Sequence, residues 1–248
     1  MSTVLPDAPV LRSEWTKLTT LISQWSTPVL SVALSVGITF LVNFHYSDDG
    51  SLTEDKGVGI FYGFNFGQVP LACLGILLIG QEYNSGTIRA SLTAVPHRSR
   101  LYAAKALLGA GLGLLVGLLT TGGSMLVVAN TTGLDLSAPG MLRTAVAGVL
   151  YCPMLVLICF AVTACFRNLS AALGLLTPLV FFGTTALAAI PGVRAVAQYL
   201  PDRAGQYAWK QQPDPHIAFG HWTGLLLMAA WTVTLLWLGH RSLTRKDV

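Results

Sequence analysis

Residues 106–129 read ALLGAGLGLLVGLLTTGGSMLVVA, twenty-four positions without one Asp, Glu, Lys, Arg or His. At about 1.5 Å of rise per residue, such a run crosses the roughly 30 Å hydrocarbon layer of a bilayer as one helix. The polar and apolar alternation of an outer-membrane strand is absent. Lys105 precedes the run and Asn130 follows it, so polarity returns at both edges.

Five more runs share this character, at 27–44, 58–80, 144–166, 171–190 and 219–239, and none holds an Asp, Glu, Lys or Arg. Together they predict an all-α integral membrane protein with six transmembrane helices. The composition agrees. Of 248 residues only 10% are charged and 53% are hydrophobic, with a mean hydropathy of +0.61. Soluble domains carry about 25% charged residues, and disordered chains are polar. Cys73, Cys152, Cys159 and Cys165 all lie in apolar stretches and read as small buried hydrophobes. The first span is expected to be retained, because an acidic loop follows it without a small-residue cleavage pattern.

Placing the N-terminus in the cytoplasm puts ten of the 15 Lys and Arg on the cytoplasmic side and five outside. That asymmetry follows the positive-inside rule. It predicts a multi-pass protein of the cell inner (plasma) membrane with both termini cytoplasmic. The pI near 9.0 then reflects topology, and no nucleic-acid partner is expected.

Three other segments carry patterns. In LRSEWTKLTTLISQW, Leu11, Trp15, Leu18, Ile22 and Trp25 recur at helical spacing, with Arg12, Glu14 and Lys17 off that face. This predicts an amphipathic helix in the membrane interface. The connection at 81–105 is long for a helix–helix loop. Asn84-Ser85-Gly86 signals a turn, and Ile88, Leu92 and Val95 form one face of a short helix before Pro96. It suits docking of a cytoplasmic protein equally with a solvated loop touching anionic lipid. The outer connection at 191–218 is rich in Pro, Gly and aromatic residues, which predicts a re-entrant or capping structure over the outer face.

Catalytic patterns are missing. No GxxxxGK[ST] and no HExxH occurs, and the histidines lie in loops or at span ends, away from Ser124. The spans hold no Asp, Glu, Lys or Arg of the kind that ion-coupled transporters place at membrane depth. Gly109, Gly113 and Gly117 form GxxxGxxxG, the spacing for close helix contact within a subunit or between subunits. Pro70, Pro153 and Pro178 are expected to kink spans two, four and five. Asn65 and Gln68 in span two need a partner or a water-lined path.

Glu82-Tyr83, Gly86-Thr87-Ile88-Arg89, Leu92, Thr93, Pro96, Arg98 and Ala104-Lys105 resemble the cytoplasmic signature of the ABC type-2 permease family, particularly its actinobacterial members. Glu14-Trp15-Thr16-Lys17-Leu18 is similar to the family's opening helix. His97 and Ser99 stand where more basic character is expected. The resemblance implies a single six-span permease domain over 1–248, with a connecting helix (1–25), a coupling segment (81–105) and an extracellular cap (191–218). It implies a separate ATP-binding cassette ATPase, which binds the ATP and Mg while this chain binds no cofactor. It also implies a second permease copy, identical or related, within the membrane lipids. By position it gives Glu82, Arg89 and Arg98 a role in ATPase coupling. Phe61, Phe64, Asn65, Phe181 and Phe182 become candidates for the substrate path. The expected function is ATP-driven export of an amphipathic or hydrophobic small molecule or lipid. The alternative is a non-transporting scaffold or sensor that docks a cytoplasmic partner.

Overall fold

The computed structural model describes residues 8–45, 55–87, 98–190 and 192–245. Among these residues there are helices and no strands. α1 (Ala8–Thr20) leads into α2 (Ile22–His45). The short α3 (Lys56–Ile60) precedes α4 (Phe64–Ser85). Then come α5 (Arg98–Thr132), α6 (Met141–Phe166) and α7 (Leu169–Pro178). A π-helical turn (Leu179–Gly183) joins α7 to α8 (Thr184–Ala189). Short α9 (Arg194–Ala197) and α10 (Pro201–Trp209) precede the final α11 (His221–Arg245).

Five of these, α2, α4, α5, α6 and α11, are long and apolar enough to cross a membrane. The expected fifth span, 171–190, is helical from 171 to 189 without interruption, as α7, a π turn and α8 rather than one uniform α-helix. Pro178 is the physical cause. It has no N–H for the ladder, and its ring crowds the carbonyl four residues back, so α7 ends there and the wider π turn follows. The expected second span is also divided. Asp55 caps α3 by accepting from the Gly57 N–H at 2.8 Å and the Val58 N–H at 3.4 Å, and α4 starts afresh after the turn at Gly63. Gly86, in the left-handed region at φ 70°, ends α4 as the Asn-Ser-Gly signal predicts.

The first long helix, α2, turns its small polar side inward and its large apolar side outward. The buried residues of α2 are Gln24, Ser31, Ser35 and Thr39, while Val29, Phe40, Leu41 and Phe44 are exposed. The Ser31 hydroxyl donates to the Gly67 carbonyl at 2.8 Å, so the small, polar side of α2 closes onto α4. Lipid is as apolar as Leu, so close packing and internal hydrogen bonds hold such helices together. Gly113 and Gly117 of α5 face α6. A Cβ on Gly113 would lie 2.6 Å from Pro153 Cα, and one on Gly117 2.5 Å from the Val149 carbonyl oxygen. The GxxxGxxxG stripe therefore packs within the subunit, directly against the proline of α6.

Between α4, α6 and the last connection lies an aromatic core. Phe61, Phe64, Tyr151 and Trp209 are all buried, and Phe61 and Trp209 ring centroids are 4.7 Å apart. α10, the helix within the expected cap, is inserted against this core with Asp202, Ala204, Tyr207, Ala208 and Trp209 buried. Its C-terminal end is fastened by Arg143 to the Ala208 carbonyl (2.7 Å) and Thr144 to the Trp209 carbonyl (3.0 Å). Asp55 accepts from the Gln211 N–H (3.0 Å) and the Gln212 N–H (2.9 Å) just beyond.

Candidate functional site

At the end of the bundle that carries α1, four charged side chains close into a ring. Glu14 and Lys17 come from α1, Glu82 from the last turn of α4, and Lys105 from the start of α5. Lys105 Nζ donates to Glu14 Oε2 at 2.5 Å and to Glu82 Oε1 at 3.0 Å. Lys17 Nζ donates to Glu14 Oε1 at 2.7 Å and to Glu82 Oε1 at 2.8 Å. Each carboxylate thus touches both ammonium groups, and the ring is neutral as a whole. The side chains of Lys105, Glu14 and Glu82 are 4%, 5% and 9% exposed. Isolated charges at that depth are heavily penalised, and mutual pairing with added hydrogen bonds is what offsets the penalty. Lys105 spends a further donor on the Leu78 carbonyl at 3.1 Å.

Lys17 is the half-open member of the ring. Burial pulls its pKa down, but the hydrogen bonds and field of Glu14 and Glu82 outweigh that and leave it raised. Beside the ring, the Gln24 amide donates to Gln81 Oε1 at 2.9 Å, and Gln81 donates to the Ser23 hydroxyl at 2.6 Å. A cavity of about 500 Å³ opens here between α1, α4 and α5, with Leu18, Leu21, Asn84, Thr87 and Leu108 around the charged floor.

This arrangement revises the expected apolar face of the first helix. α1 stops at Thr20, so Ile22 and Trp25 belong to α2. The side of α1 turned to the bundle carries Glu14 and Leu18, both buried, whereas Trp15 is 51% exposed. Within the bundle α1 is held by Glu14, Lys17 and Leu18, and its one tryptophan, Trp15, faces outward.

A second network lies at the start of α5. Arg98 Nη1 donates to the Leu243 carbonyl at 3.3 Å, and Arg167 donates to the Ser242 carbonyl. The last carbonyls of a helix lack intrahelical donors and carry partial negative charge, so two guanidinium groups suit the end of α11. Ser99 and His240 meet at 3.0 Å in the same place.

Of the residues expected to couple to an ATPase, Glu82 therefore sits in the ring with α1, and Arg98 sits with α11. They flank the segment 86–97 from two different anchorages. Arg89 and the short helix expected at 88–95 lie outside the described residues. The ring partners Glu14, Lys17 and Lys105 stood within the two quoted motifs, but periodicity placed the first two on a polar face, away from the bundle.

The candidate path residues do not share one surface. Phe61 and Phe64 are in the closed aromatic core. Asn65 is exposed and donates to the Tyr62 carbonyl at 3.2 Å. Phe181 and Phe182 belong to the π turn, where Phe181 packs on Phe66 at 5.6 Å and Phe182 is 63% exposed.

The family model described as ABC-2 family transporter protein matches residues 10–184, well over half of the chain. That span runs from α1 to the first residue of α8 and includes all four members of the charged ring. No curated protein matches the chain.

Proposed function

The chain belongs to the ABC-2 transporter family, and from that membership we propose that it is the membrane-spanning permease subunit of an ATP-driven exporter. Its cargo is an amphipathic or hydrophobic small molecule or lipid. ATP is hydrolysed by a separate cassette subunit, and a second permease copy, identical or related, completes the path. α1 and the segment 86–97 face the cytoplasm in this reading.

The observation that carries it is the neutral ring of Glu14, Lys17, Glu82 and Lys105. A partner that moves α1 or the segment after α4 displaces α4 and α5 as well, because breaking the ring would strand buried charge. Glu82 and Arg98 then transmit motion rather than receive the ATPase directly. The apolar stretches hold no Asp, Glu, Lys or Arg of their own, and Asp202, which α10 brings against them, is bonded to Tyr151 and Gln206, which favours energy delivered by a partner. ATP-driven closure of the cassette pair reorients the spans only insofar as its nucleotide states favour different permease states.

Reconstitution tests this. The chain is co-expressed and purified with a candidate cassette ATPase and placed in vesicles containing a fluorescent amphiphile. ATP-dependent movement that is lost in Glu82→Gln supports the proposal. Stable assembly without any ATP-dependent movement over a panel of amphiphiles would instead favour a docking scaffold.

A further inference from the structure

One buried side chain joins three parts of the molecule that the sequence separates widely. Gln68, on α4, is 1% exposed. Its Nε2 donates to the carbonyl of Val180, inside the π turn, at 3.1 Å. Its Oε1 accepts from Gln206 Nε2 of α10 at 3.5 Å and lies 3.3 Å from the Tyr151 hydroxyl of α6. Gln206 also donates to Asp202 Oδ1 at 3.0 Å, and the Tyr151 hydroxyl donates to that same oxygen. Asp202, Tyr151 and Gln68 are all buried.

A π turn fits an extra residue and takes carbonyls out of the i to i+4 ladder, and such turns mark places where a helix changes register. Here Pro178 starts the turn and Gln68 satisfies a carbonyl within it. If the turn relaxes to α geometry, everything after it rotates by about 100° and shifts by about 1.5 Å. Val180 then leaves Gln68. α8 packs against α10, and the chain runs from the turn through α8 and α9 into α10. Both the covalent path and the polar path therefore lead to the inserted helix. A buried amide cut off on one side carries the full cost of an unpaired polar group.

We propose that the π turn Leu179–Gly183 and the inserted helix α10 form one coupled moving unit, with Gln68 as the positioning residue that holds them in register. Motion of either element releases the other, and Phe181 and Phe182 swing with the turn. The inference rests on the permease reading only for the purpose of the motion, which is to open one end of the path.

Hydrogen–deuterium exchange on the chain in lipid nanodiscs tests the coupling without any transport. Two variants each touch one side only. Tyr151→Phe removes the hydroxyl that bonds Asp202 beside Gln68 and leaves the π turn intact. It should speed exchange about tenfold or more in both 201–209 and 179–183. Pro178→Ala restores a donor before the turn and leaves α10 untouched, yet it should also change exchange in 201–209. Effects confined to 201–209 for the first variant and to 179–183 for the second would show two independent elements and overturn the proposal. An absence of change in both segments would overturn it too. Either result leaves ATP-driven transport to be judged by its own assay.

Discussion

Lys105 Nζ lies 2.5 Å from Glu14 Oε2, across 91 positions of sequence, and both side chains are almost wholly buried. This pair fixes where α1 sits. Lys105→Met should leave Glu14 and Glu82 with Lys17 alone, at a cost of about 3–5 kcal/mol. Thermal unfolding in detergent reads the loss. Adding Glu14→Gln to Lys105→Met should recover part of it, because the double variant removes one stranded charge. A double variant less stable than either single one would show that the two groups do not act as a pair.

Lys17 should matter less, since its side chain is 41% exposed. Lys17→Met is expected to cost under about 1 kcal/mol. The pH dependence has a definite sign. A lysine whose pKa is raised on folding contributes fully below its ordinary value of 10.5 and loses that contribution as pH rises through the folded value. The stability gap between parent and Lys17→Met should therefore be constant at neutral pH and shrink only in strong alkali. A gap that already shrinks across the neutral range would show that this reading of Lys17 is wrong.

The glycines of α5 divide into two kinds. Gly117→Ala drives a Cβ to 2.5 Å from a backbone oxygen of α6, so it should destabilise by about 1–3 kcal/mol. Gly111 has nothing within 4 Å of its would-be Cβ, and Gly111→Ala should be neutral or stabilise by about 0.5–1 kcal/mol. Both are read from unfolding midpoints of the monomer and of the assembled transporter. Damage from Gly111→Ala in the assembly alone would place that outer face of α5 against another chain.

Asp55 serves two structures at once, capping α3 and accepting from the backbone of Gln211 and Gln212. Asp55→Ala should cost about 1–2 kcal/mol through the cap and free the connection after α10. Limited proteolysis should then cut near 210–220 faster than in the parent. Asp55→Asn keeps one acceptor oxygen and should lie between the two.

The sequence made the helical membrane class plain because lipid demands long apolar runs, and 106–129 is one. It also exposed the turn at Gly86 and the proline that stands just before the π turn in 171–190. The rest was hidden for physical reasons. Periodicity ranks faces by hydrophobicity, so it set Glu14 on the solvent side of α1, whereas pairing with Lys105 draws it in. Gln68 was legible as a polar side chain in need of partners. Which partners it has depends on Asp202 and Gln206, more than 130 positions away, and on a π turn that no spacing rule encodes. Glu82 was visible through the motif, but its inward direction is a property of three helices meeting.

The closed ring also has a consequence in time. Glu14 and Lys17 emerge among the earliest residues of the chain, and their buried partner Lys105 emerges about ninety residues later. Until α5 begins, α1 has no complete set of counter-charges and remains at the surface. α1 is therefore fastened only once α4 and the start of α5 have been made, and its docking reports that those two helices have already come together.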